Sequence, residues 1–154
     1  MELILWRHAE AEDADGRNDL ERVLTRRGTK QASRMAAWLD ARIDDDWRIL
    51  VSPARRTLQT VEPLERAFDV SDAIGTGTTP AALLRATGWP DGKRNVLVVG
   101  HQPTLGEVAA SLLDVASGAM SVRKGSIWWF ATRVRDGDRE TMLKAVVAPE
   151  QLES

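Results

Sequence analysis

The chain has 154 residues, a formal net charge of −2 from 21 Lys+Arg against 23 Asp+Glu, two histidines and no cysteine. That length fits one domain with its own hydrophobic core. The missing cysteine excludes disulfides, thiolate nucleophiles and Cys-based zinc sites, and the near-neutral charge argues against a nucleic-acid partner.

The chain opens with an apolar run at residues 3–6, read as a strand. The stretch MELILWRHAEAED lacks a basic region and a small-residue cleavage site, so a cytoplasmic location is expected. No apolar run approaches the ~18 residues of a membrane span. Residues 13–21 are polar and read as a loop. Thr25 is a candidate N-cap, with Ala32, Met35, Ala36, Leu39 and Ile43 following at helical spacing. Residues 49–51 read as a strand. Ser52-Pro53 then reads as the N-cap and first residue of a helix, which Pro63 should kink. Pro80 and Pro103 each start a further helix, separated by an apolar run at 96–99. Residues 127–131 and 141–147 read as final strands, joined through the turn signal Asp136-Gly137 as a hairpin. Such alternation predicts an α/β fold with a largely parallel central sheet, in a single domain over residues 1–154.

The chemistry-bearing residues cluster at the ends of these runs. Arg7-His8 follows the first, Arg55 the second, and His101 the third. In a parallel sheet those ends lie along one edge, where open α/β folds bind ligands. Two helix N-termini, near Ser52 and Gln102-Pro103, would add free N–H groups there. Arginine forks suit phosphoryl oxygens, and a neutral imidazole beside them can attack phosphorus. The residues alone thus point to phosphoryl transfer, with a histidine as nucleophile. Trp6 alternates away from Arg7 and belongs in the core; Arg56 reads as a surface cation of its helix. Trp128-Trp129 place one ring on each side of a strand. Asp13-Ala14-Asp15-Gly16 imitates a paired-aspartate phosphatase motif but has no apolar strand before it. Gly75-Thr76-Gly77 lacks the third glycine of a dinucleotide loop. A metal between the two histidines is disfavoured by their arginine neighbours.

At these positions the chain resembles the histidine phosphatase superfamily, the phosphoglycerate mutase-like enzymes. Arg7-His8-Ala9 is similar to its Arg-His-Gly signature. Leu24-Thr25-x-x-Gly28, the stretch Ser52-Pro53-Ala54-Arg55-Arg56-Thr57-x-Gln59-Thr60, and Val96-Leu97-Val98-Val99-Gly100-His101-x-Pro103 are further matches. The short length, Arg22-x-Leu24-Thr25 and the Val-Gly-His-Gln-Pro segment look most like the SixA-type phosphohistidine phosphatases. The resemblance implies a three-layer α/β/α sandwich and a metal-independent phosphatase without cofactor. It implies that His8 is the nucleophile, that Arg7 and Arg55 clamp the phosphoryl oxygens, and that His101 contacts the same oxygens. Arg22 and Ser52 would bind substrate.

Larger members carry a Glu or Asp, after the third strand, that protonates the leaving oxygen; residues 73–89 here contain neither. An imidazole leaving group needs such an acid less than an alkoxide does. The expected partner is therefore a phosphohistidine-bearing signalling protein. The alternative is a small phosphomonoester such as a sugar or nucleotide phosphate, with Glu10, Glu12 or Glu107 as the acid. A monomer is expected in either case.

Overall fold

The computed structural model describes residues 1–116 and 118–153. β1 (Glu2–Arg7) leads through a 3₁₀ turn at Asp19–Glu21 to α1 (Arg26–Asp40). β2 (Arg48–Val51), α2 (Arg55–Val61) and the two-residue β3 (Asp69–Val70) follow, then α3 (Pro80–Thr87), β4 (Val96–Gly100) and α4 (Thr104–Leu112). A hairpin of β5 (Ile127–Arg135) and β6 (Asp138–Val147) completes a six-stranded sheet of order β3-β2-β4-β1-β5-β6. The first four strands in that order are mutually parallel, and β5 and β6 run antiparallel at the far side.

Both faces of the sheet are covered. Ile4, Trp6, Leu97 and Val99 pack under α1 and α2 with Met35, Leu39 and Val61. Leu3, Leu5, Val96 and Val98 pack under α3 and α4 with Leu83, Leu105 and Val108. β4 is buried along its whole length, as a strand in the middle of a doubly covered parallel sheet must be. Trp6 is fully buried, with its indole N–H donating to Gly125 O, so it is core as expected. Trp129 joins the α1 face and Trp128 the α3–α4 face.

Thr25 caps α1, its Oγ1 accepting from Gly28 N at 2.9 Å. Gly28 presses against the chain just after the first strand, and a Cβ there would overlap the Glu10 carbonyl oxygen. This explains the Leu-Thr-x-x-Gly spacing: the cap and the close approach seat α1 beside residues 8–10. The second helix differs from expectation. Ser52 and Pro53 lie outside it; α2 begins at Arg55, with Ala54 in the cap position. Ser52 Oγ instead accepts from Ala54 N in a tight turn. The α-helix also stops at Val61, and Pro63 sits in a following 3₁₀ turn. No helix among the described residues is long and apolar enough to cross a membrane.

Candidate active site

Parallel pairing brings the two histidines together. β4 lies between β1 and β2, with Arg7 opposite Gly100 and Val51 opposite Val99. Immediately beyond, His8 N donates to Gly100 O and Ser52 N to Val99 O, both at 3.1 Å. His8, Ser52 and His101 therefore leave the sheet at one level. The two imidazole rings are 5.4 Å apart and tilted by 55°. They are only 6% and 5% exposed.

His8 is fixed by its own neighbour: Nδ1 lies 2.7 Å from Ala9 O. A carbonyl can only accept, so Nδ1 carries the proton and Nε2 keeps its lone pair. Ala9 N in turn donates to Thr60 Oγ1, which itself donates to Arg56 O, linking the His8 turn to α2. Across the site, His101 Nε2 hydrogen-bonds Ser52 Oγ at 2.7 Å. The structure thus sets Ser52 against the histidine ring.

Arg56, not Arg55, is the arginine of α2 that reaches this cluster. Arg55 is exposed on the outer surface and lines a separate surface hollow with Leu58, Glu62 and Phe68. Arg56 is 4% exposed. Its guanidinium donates to Asp19 O at 2.8 Å and to Asp19 Oδ2 at 3.2 Å. Starting the helix at Arg55 turns the phase, and adjacent helical residues differ in direction by about 100°. That shift corrects the surface reading of Arg56 and leaves Arg55, expected as a clamp, facing away from the histidines.

Asp19 carried no signal of its own in the sequence, yet it holds two arginines. Its Oδ1 accepts from Arg22 and its Oδ2 from Arg56, both at 3.2 Å. Arg22 also donates from Nε to Glu12 O at 2.7 Å. Burial alone would raise the Asp19 carboxyl, but Arg22 and Arg56 outweigh it and hold it below the usual carboxylate range. Arg7 is anchored through its side chain to Val122 O at 2.9 Å.

The cluster keeps both imidazoles neutral. His8 is pushed down to about 3 by burial; the Ala9 carbonyl opposes this, and the charges of His101, Arg56 and Arg7 reinforce it. His101 is pushed down to about 4 by burial and then by Arg56, with Asp19 opposing and Arg7 and Arg22 adding. Among the described residues, Arg7 Nε, Arg56 Nε and His101 Nδ1 are buried without a hydrogen-bond partner. Of the carboxylates weighed as acids, none is hydrogen-bonded to either histidine among the described residues. Glu10 Oε1 accepts from Thr25 Oγ1 at 2.8 Å. Glu12 is exposed among Asp13, Asp15 and Arg17, and Glu107 stands in the first turn of α4.

A neutral, oriented imidazole ringed by guanidinium groups, at the carboxyl edge of a doubly covered parallel sheet, defines a phosphoryl-handling enzyme. The chain belongs to the histidine phosphatase superfamily, whose branch 1 profile matches residues 3–75, and it has the phosphoglycerate mutase-like fold. A phosphohistidine phosphatase SixA homologue from Haemophilus influenzae is 33% identical over 127 residues, 73% of this chain and 77% of that one. Phosphohistidine phosphatase SixA from Escherichia coli is 30% identical over 122 residues, 73% of this chain and 74% of that one. The structure of the protein histidine phosphatase SixA complexed with tungstate matches with a TM-score of 0.75 at 25% identity, over 99% of this chain and 100% of that one.

Proposed function

We propose that the protein removes the phosphoryl group from phosphohistidine of a signalling protein, through a transient phosphoryl group on His8. The observation that carries this reading is the Nδ1 bond of His8 to Ala9 O. It leaves Nε2 as the nucleophilic nitrogen of a ring that stays unprotonated at neutral pH.

In the first step His8 Nε2 attacks phosphorus in line, and the bond between phosphorus and the substrate imidazole breaks. The electron pair stays on that leaving nitrogen, and the ring, protonated at its other nitrogen by solvent, departs as neutral imidazole. His8 becomes an N-phosphorylated ring whose positive charge is shared through Nδ1–H with the Ala9 carbonyl. In the second step water attacks phosphorus, releases inorganic phosphate and restores neutral His8. The positive charges of Arg7 and Arg56, which act on both histidines, are suited to the phosphoryl oxygens, and phosphoryl transfer asks chiefly for alignment and such charge stabilisation. Arg22 adds positive charge from the rim. These cations supply what a metal would otherwise supply, so EDTA should leave turnover unchanged.

Phosphohistidine is favoured over a phosphomonoester because an imidazole leaving group needs a general acid less than an alkoxide does, and residues 73–89 contain no Asp or Glu. The test is phosphate release from a phosphohistidine protein and from small phosphomonoesters, beside trapping of labelled enzyme in alkali, where phosphohistidine survives. Efficient turnover of sugar or nucleotide phosphates with none of phosphohistidine would assign the site to a small molecule.

A further inference from the structure

Beside the reaction centre lies an open cleft of about 310 Å³ that shares Arg7 with it. Its other cations come from two distant parts of the chain: Arg27 in the first turn of α1, and Arg123 and Lys124 in the segment before β5. Two carboxylates also line it, and both are engaged. Glu10 accepts from Thr25, and Glu150 pairs with Arg123 at 3.6 Å. Arg27 and Lys124 are exposed and have no ion-pair partner among the described residues. A surplus of positive charge thus collects here on a chain whose net charge is −2.

The cleft is tied to the catalytic dipeptide. Arg7 N donates to Ser126 O, Gly125 N to His8 O, the Trp6 indole to Gly125 O and the Arg7 guanidinium to Val122 O, four bonds of 2.9 to 3.1 Å. Gly125 has a positive φ of 76°, which glycine adopts at no steric cost. Arg123 and Lys124 are therefore held at a set position relative to the nucleophile. A polypeptide advances about 3.3 Å per extended residue, so the neighbours of a histidine phosphorylated at this centre fall within the reach of the cleft.

Resting on the phosphohistidine reading above, we propose that this cleft binds acidic residues flanking the phosphohistidine of the substrate protein. Carboxylates of a polypeptide fit it better than a second phosphate does. Its cations are exposed, on flexible stems and from separate elements, which suits charges spread along a chain rather than one compact anion.

The experiment uses synthetic peptides, each with one chemically phosphorylated histidine, flanked by Asp/Glu, by Ser/Ala or by Lys. Wild-type enzyme at low salt should show a kcat/KM about tenfold higher for the acidic than for the neutral peptide, the scale of two or three rim ion pairs. The difference should lie in KM and should vanish at about 0.5 M salt. R27E/K124E should erase the preference for acidic flanks and favour the Lys-flanked peptide, with kcat on the neutral peptide unchanged. Equal use of acidic and neutral peptides by wild type overturns the proposal, as does a variant that slows both alike. The salt dependence of wild type tests the idea even where the variant does not fold. Failure of the phosphohistidine reading looks different: wild type then turns over none of the peptides while hydrolysing a small phosphomonoester.

Discussion

The reaction centre and the cleft beside it share Arg7 but hold charge in opposite ways. In the centre, Arg56 and both histidines are buried and hydrogen-bonded, and the guanidinium charge acts on the imidazoles through a poorly screened interior. In the cleft, Arg27 and Lys124 stand in solvent, where salt screens them within about 10 Å. The first arrangement sets the protonation state of the two imidazoles. The second, as proposed above, would leave chemistry alone and bias which chain arrives. Substitutions in the centre should therefore be large and insensitive to salt, and those in the cleft small and salt-dependent.

The largest effect belongs to His8→Ala, which should lower kcat by about 10⁴-fold or more and abolish the trapped phosphoenzyme. Arg56→Ala should follow at about 10²–10³-fold, as for loss of one transition-state donor. Arg55→Ala, one residue away, should stay within about twofold, as surface changes do. That pair, assayed side by side, is the sharpest check on the corrected arginine; equal losses would mean that both reach substrate. Asp19→Asn keeps the shape but removes the charge that orients Arg22 and Arg56. About tenfold in kcat/KM is expected, the size of a contact that supports a site's ligands, and Asp19→Glu should recover part of it.

Acid separates stability from activity. Burial pushes His8 down to about 3 and His101 down to about 4 in the folded chain, against 6.5 for an ordinary histidine. As pH falls below about 6.5 the unfolded chain takes up protons first. The contribution of these residues to stability is thus complete above 6.5 and is lost progressively down to the folded values. Denaturant midpoints should fall between pH 7 and pH 5, while the acid limb of kcat/KM stays well below 6.5. A limb at 6.5 would show that His8 behaves as a solvated imidazole.

Much of this was legible in the sequence because burial leaves a clear imprint. The runs around Leu3, Leu50 and Val98 are apolar on both faces, and their strands place Arg7-His8, Ser52 and His101 at one edge. β3 was invisible because two exposed residues, Asp69 and Val70, carry no such imprint. The choice between Arg55 and Arg56 turned on where a seven-residue helix begins, and Ser52-Pro53 imitated a start that in fact lies at Arg55. Asp19 sits in a polar loop whose composition says only that it is exposed; its partners come from Arg22 and from α2, and only folding brings Arg56 to it. Gly28 could be matched as a motif letter, but its reason, contact with the Glu10 backbone, is a matter of tertiary approach.

The tether between residues 122–126 and the Arg7-His8 pair is made, on the loop's side, from main-chain atoms alone: the carbonyls of Val122, Gly125 and Ser126 and the amide of Gly125. Neither the Arg123 nor the Lys124 side chain contributes a bond to it. Exchanging those two side chains therefore breaks none of these bonds, and under the cleft proposal it would change the flanking sequence that is preferred while leaving the Arg7-His8 turn anchored.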